Sequence, residues 1–126
     1  MKKERCMLFF DIDGTLITTD GKRTFPESAK RALREARKRG HLVYINTGRV
    51  MANVENFIRE VGFDGYVCGC GTYIVSEGTV LLHHRIPQER CREIAYKCRE
   101  CCMMAIFEHT EHTCYDSELA GKDAGY

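Results

Sequence analysis

The stretch LFFDIDGTLITTDG, residues 8–21, ends an apolar run with two carboxylates, Asp11 and Asp13, and follows them at once with Gly14 and Thr15. The run Cys6–Phe10 is continuous, partly aromatic and short, which predicts a strand buried on both faces of a parallel sheet. In an extended chain residues i and i+2 point to the same side. Asp11 and Asp13 therefore project together, while Ile12 between them turns the other way. Open α/β sheets bind their ligands outside the carboxyl ends of their strands, and that is where this pair falls. Two neighbouring carboxylates repel, so keeping both ionised calls for a cation. Magnesium suits the place, since it is commonly held by one or two carboxylates, waters and a substrate phosphate. Gly14 lets the backbone turn closely around a ligand, and Thr15 adds a hydroxyl and an amide for anionic oxygens.

Working outward, a second apolar run, Leu42–Ile45, ends in Asn46-Thr47-Gly48-Arg49 directly before a helical pattern. Thr47 offers a hydroxyl, Gly48 an unobstructed amide, and a following helix N-terminus favours an anion. Taken singly, Thr47 reads as an ordinary helix cap and Arg49 as a surface charge. Two phosphate-friendly strand ends in one parallel sheet make a shared site the stronger reading.

The elements alternate. Pro26 opens a helix with Ala29, Ala32, Leu33 and Ala36 on one face and Gly40 as its stop. A second helix is expected with Val50, Val54, Phe57, Ile58 and Val61 on one side, closed by Gly62, and Tyr66–Cys68 forms a third strand. Strand, helix, strand, helix, strand with short connections predicts an α/β fold, a βαβαβ unit with a Rossmann-like parallel sheet and right-handed crossovers. Thereafter Thr72–Val75 and Thr79–His83 flank Ser76-Glu77-Gly78 as a hairpin, and Pro87 begins a third helix running to about Cys102. Strands are expected at Met103–Glu108 and near His112–Tyr115. The boundary falls near His84–Pro87, giving one unit over 1–84 and a second over 85–126.

The 126 residues suffice for a real hydrophobic core. A net charge of +1 argues against binding nucleic acid or anionic membrane through a bulk field. The basic run from Lys30 to Arg39 has helical spacing, which reads as the solvated face of an amphipathic helix. No apolar run is long enough to span a membrane, and the start MKKERCMLFFDID turns acidic too soon for a signal peptide. The eight cysteines are therefore expected as reduced thiols of a cytoplasmic protein. Cys98 and Cys101 form a CxxC with His109 and His112 downstream, which raises a zinc site. A second CxxC or HxxxH is absent, and Cys91, Ile94, Ala95, Cys98 and Cys102 recur at helical spacing, so the favoured reading is small core residues.

DIDGTL at 11–16 followed by INTGR at 45–49 resembles the haloacid-dehalogenase-like (HAD) superfamily, and TGR at the second strand resembles its Cof-type, class IIB phosphatases. The segment VCGCGTYIVSEGTVLLHHRIP is similar to the piece of that group leading towards its α+β cap domain, though Gly69-Cys70-Gly71 stands where the family usually has Asn-Gly. The resemblance implies a magnesium-dependent phosphohydrolase acting on small phosphorylated metabolites. Asp11 is implied as the nucleophile forming an aspartyl-phosphate, and Asp13 as the general acid and base. Magnesium is implied at the Asp11 carboxylate and the Asp13 main-chain carbonyl. Gly14, Thr15 and Thr47 are implied as phosphoryl contacts, with Gly48 and Arg49 lining the site. A phosphosugar mutase of the same superfamily shares DxDGT, and a non-catalytic phosphate-binding remnant is the reading from another class. A nucleotide-binding Rossmann domain fits less well, because the first turn lacks GxGxxG and carries two acids.

The family also uses a lysine after the cap and an acidic GDxxND-like loop. No GDxxND occurs here, and Lys122-Asp123 is expected as surface tail. The expectation is an N-terminal portion: half of the core and the start of the cap. Its first strand would then lie at the sheet edge, open to self-association.

Overall fold

A computed structural model describes residues 4–116, and in it the alternating order of strands and helices is present. The chain divides at His83/His84 into two units. In the first, a five-stranded sheet has the order β1 (Met7–Phe10), β2 (Leu42–Asn46), β3 (Gly65–Cys68), β4 (Tyr73–Ser76) and β5 (Thr79–His83). β1 pairs with β2, and β2 with β3, in parallel, Phe10 facing Ile45 and Asn46 facing Val67. β3, β4 and β5 run antiparallel. The sheet is thus the mixed form of the Rossmann-like core expected from the alternating pattern. Glu77 and Gly78 close the β4–β5 hairpin with φ of 47° and 79°, the two successive positive angles that match the twist of paired strands.

Helix α1 (Glu27–Lys38) starts after Pro26 and buries Leu33, with Ala29 and Ala36 packed against the core. Its last turn is tied to the β3 entry. Arg37 donates through Nε and Nη2 to the Asp64 carboxylate at 2.9–3.2 Å, and the Val43 N–H donates to Asp64 Oδ2 at 2.8 Å. The next residue, Gly65, leaves no room for a side chain: a Cβ there would stand 2.3 Å from the Val75 carbonyl oxygen and 2.4 Å from the Tyr44 ring. Below the sheet lies one core of Ile12, Leu16, Ile17, Val43, Ile45, Val54 and Ile58 among others.

Three expectations are corrected. β1 is not buried on both faces. Leu8 and Phe10 pack against the core, whereas Met7 and Phe9 are half exposed, because β1 is the sheet edge among the described residues. Phe9 covers part of itself by stacking on Tyr44 at 5.2 Å. The second helix is not continuous either. A single 3-10 turn (Met51–Asn53) is followed by extended Val54 and Glu55, and then by a short helix α2 (Asn56–Arg59). Val54, Ile58 and Val61 are buried as the periodicity requires, but Phe57 is exposed. At the break, Arg49 Nη1 donates to the Asn53 carbonyl.

The second unit contains α3 (Gln88–Glu100), opened by Pro87, and a hairpin of β6 (Ile106–Glu108) and β7 (Thr113–Tyr115). β6 is shorter than the expected Met103–Glu108. The thiols of this unit are the third correction. No described residue of α3 is buried; Cys91 and Cys98 are half buried and Cys101 and Cys102 exposed, so they are not core residues. The helical spacing is real, but the face it forms is only half covered at Cys91, Ala95 and Cys98. Lys122-Asp123 lies outside the described residues.

Candidate active site

The first strand hands over to its loop at Ile12, which is fully buried while Asp11 and Asp13 on either side are exposed. Ile12 also anchors the turn through its main chain. The N–H groups of Thr15, Leu16 and Ile17 all donate to the Ile12 carbonyl, at 3.3, 3.0 and 3.1 Å. The neighbouring Asp13 carbonyl takes none of these three bonds. Gly14 sits at φ 76°, a conformation that side chains resist, although a Cβ there would meet nothing closer than 3.6 Å. Its backbone freedom, not its small size, is what the turn uses. Beyond it, the Thr18 N–H donates to the Thr24 carbonyl at 2.9 Å, and Asp20 accepts from the Thr18 hydroxyl and the Lys22 N–H. This closed loop lines a groove of about 410 Å³ with Gly14 and Thr15 in its wall.

The β2 end is held differently. Thr47 is a buried polar residue, only 4% exposed. Its N–H donates to the Val67 carbonyl at 2.9 Å, and its Oγ1 accepts the Arg49 N–H at 3.2 Å. The Gly69 N–H donates to the Arg49 carbonyl and the Cys70 N–H to the Thr47 carbonyl, at 2.8 and 3.3 Å. Gly69-Cys70-Gly71 thus pins the Thr47–Arg49 segment to the end of β3. It does so at a cost, since Cys70 adopts φ 54° and ψ 36°, a left-handed conformation disfavoured for a residue with a Cβ. A Cβ on Gly48 would reach ordinary contact with Cys70 Sγ at 3.5 Å. The helix-dipole contribution expected after Thr47 is absent, because the segment enters a 3-10 turn and then a helix of four residues.

Asp13 and Arg49, 36 positions apart, meet as a bidentate pair. Arg49 Nε donates to Asp13 Oδ2 at 2.8 Å and Nη2 to Oδ1 at 2.5 Å. Arg49 Nη1 also donates to Glu55 at 2.5 Å, and the other Glu55 oxygen accepts from Arg23 at 2.5 Å. Carboxylates and guanidinium groups alternate along the chain Asp13, Arg49, Glu55, Arg23. The hydrogen bonds from Arg49 lower the Asp13 pKa below the usual carboxylate value, and those to Asp13 raise that of Arg49. Asp11 stands outside this network, since among the described residues no cation pairs with it. Glu55 and Arg23 were not among the residues singled out from sequence. The helical period placed Glu55 on a solvent face, and Arg23 lay in a loop without a motif.

The model of the family described as haloacid dehalogenase-like hydrolase matches residues 8–124. Over 88 residues the chain is 31% identical to the candidate phosphatase YkrA of Bacillus subtilis (strain 168), covering 70% of this chain and 34% of that protein. The fold superposes with a TM-score of 0.78 on a protein of Geobacillus kaustophilus HTA426 at 31% identity, covering 89% of this chain and 43% of the other. Against the HAD subclass IIB sugar phosphatase BT4131 the TM-score is 0.72 at 28% identity, covering 94% of this chain and 47% of that one. The chain therefore spans roughly a third to a half of the length of these relatives. On the match over nearly its whole length, this chain belongs to the haloacid dehalogenase-like hydrolase family.

Proposed function

We propose that this chain carries the nucleophile and the acid/base half of a magnesium-dependent phosphohydrolase site for small phosphorylated metabolites. The observation that supports it most is the pairing of two strand ends. β1 presents Asp11 and Asp13 to solvent around buried Ile12, and β2 supplies Arg49 to Asp13. Asp11, exposed and free of ion pairs among the described residues, attacks phosphorus, and an aspartyl-phosphate forms as the leaving oxygen departs. Asp13 gives that oxygen its proton and afterwards takes one from water. Thr47, Gly14 and Thr15 contribute hydrogen bonds to the phosphoryl oxygens, and Gly48 lines the same strand end.

The residues present suit magnesium. A carboxylate outside every ion pair among the described residues and a main-chain carbonyl that takes none of the turn's three N–H groups are both hard oxygen donors. The Asp11 carboxylate and the Asp13 carbonyl would hold the ion, which neutralises charge on the transferring group. The second unit, residues 84–116 of the described chain, is proposed as the beginning of a cap that selects the substrate.

Arg49 adds a condition to this reading. While it grips Asp13 the carboxylate stays ionised, which suits proton removal from water. Protonating a leaving group needs the neutral acid, so Arg49 must release Asp13 in the first half-reaction. The test is binding of beryllofluoride, a phosphoryl mimic, with and without magnesium, beside turnover of an aryl phosphate. Magnesium-dependent binding abolished by Asp11→Asn is expected. Binding that ignores both magnesium and Asp11 sinks the proposal; binding without turnover supports a phosphate-binding remnant instead.

A further inference from the structure

The β6–β7 hairpin carries a side-chain cluster that the Asp11 site does not use. Its register pairs Phe107 with Cys114 and Glu108 with Thr113. The next pair outward is His109 and His112. The His109 N–H donates to the His112 carbonyl at 2.8 Å, closing a two-residue turn of Thr110 and Glu111. Residues directly opposed on an antiparallel pair share one face, and the two imidazole rings lie 4.6 Å apart at 32°. The Glu111 N–H donates to His109 Nδ1 at 3.2 Å, folding the turn against the first ring. One ligand atom from each of His109, Glu111 and His112 lies within 4.8 Å of the others, and among the described residues no other such trio exists.

From this placement we infer that His109, Glu111 and His112 bind a divalent transition-metal ion of the zinc type at the hairpin turn. Two imidazoles and one carboxylate, with water completing the shell, are a donor set that zinc and nickel accept. Magnesium prefers an all-oxygen shell, so this site and the Asp11 site select different ions. The two histidines flank a turn already closed by the main chain, so bringing them together costs little further loop entropy. The ligand atoms need to draw inward to reach zinc–nitrogen distances of about 2.0–2.1 Å. Glu111 and His112 are exposed and His109 half buried, which leaves rotation open to them.

The single bond given up is the one at His109 Nδ1. A metal on Nδ1 replaces the Glu111 N–H directly. A metal on Nε2 displaces the ring proton to Nδ1, which then no longer accepts. The CxxC cysteines take no part: Cys98 and Cys101 belong to no group of three metal-binding side chains among the described residues.

The test is titration of the 126-residue chain with zinc and, separately, nickel in a non-chelating phosphine reductant, read by calorimetry and by imidazole NMR. One ion is expected, with the His109 and His112 resonances shifting together and no displacement by excess magnesium. His112→Gln weakens binding by about tenfold or more, while Cys98→Ser with Cys101→Ser titrates as the unmodified chain does. An affinity untouched by His112→Gln, or lost in the cysteine variant, overturns the inference. Unchanged amide spectra of both variants in the absence of metal exclude misfolding as the cause.

Discussion

Arg49 is the residue on which the proposed chemistry turns, because its three nitrogens serve three acceptors. Nε and Nη2 hold Asp13, and Nη1 serves both Glu55 and the Asn53 carbonyl. A lysine could not reproduce this fork. The native Asp13 pKa is lowered, so the pair stabilises the fold above the ordinary carboxylate value, and that contribution is lost as pH falls through the lowered one. The Asp13 side chain is 55% exposed, so little stability is at stake and titration is the better readout. In Arg49→Met the Asp13 carboxyl should titrate higher, back towards 3.8, by carbon-13 NMR; an unmoved midpoint refutes the coupling. Cys70 offers a second measurement. Asn tolerates the left-handed backbone better, so Cys70→Asn should stabilise the chain by about 0.5–1 kcal/mol in denaturant unfolding. The exposure of Asp11 and Asp13 around buried Ile12 was legible from the alternation of an extended chain. Glu55 was not, since it lies in the extended break between the 3-10 turn and α2, where the helical period does not hold, and its partners Arg49 and Arg23 are distant side chains.

Among the elements, the tie between α1 and β3 depends on Asp64. Burial works against its ionisation, but the bonds from Arg37 and the Val43 N–H outweigh burial and leave the pKa below 3.8. Its contribution is therefore complete above about pH 4 and disappears as pH falls through the lowered value. Asp64→Ala should cost about 1–3 kcal/mol near neutrality, with the partly exposed Arg37 keeping it from more. The gap between variant and unmodified chain should shrink on acidification, as measured by urea midpoints at both pH values. A gap of the same size at acid pH would show that packing, not charge, is what Asp64 supplies. α1, β2 and the β4–β5 hairpin were readable because period and turn residues agreed there. The 50–61 segment was not: its apolar spacing correctly gave Val54, Ile58 and Val61, yet periodicity cannot report the extended Val54 and Glu55 that separate the two turns.

For the molecule as a whole, β1 is the edge of the first sheet among the described residues, with Met7 and Phe9 half exposed on it. Such an edge invites a second copy. Met7→Lys should lower the apparent mass of the chain in concentration-dependent sedimentation, while Val80→Lys on the opposite edge strand β5 should not. Equal effects of the two would argue against β1 as the contact. The edge position was an expectation of the family resemblance, whereas the apolar pattern alone reads this strand as buried on both faces. The exposure of α3 was legible in neither, because helical spacing reports a face but not what covers it.

The sheet's change of direction at β3 has a kinetic consequence. β3, β4 and β5 are neighbours in the chain, joined by turns of a few residues, whereas Met7 must find Leu42 across 35 positions. Local pairings form before distant ones, because less chain must be ordered first. Residues 65–83 should therefore assemble early, and mutations there should slow refolding, while those in β1 chiefly hasten unfolding. The half of the sheet that carries Asp11 and Asp13 is then the last to be sealed and the first to open.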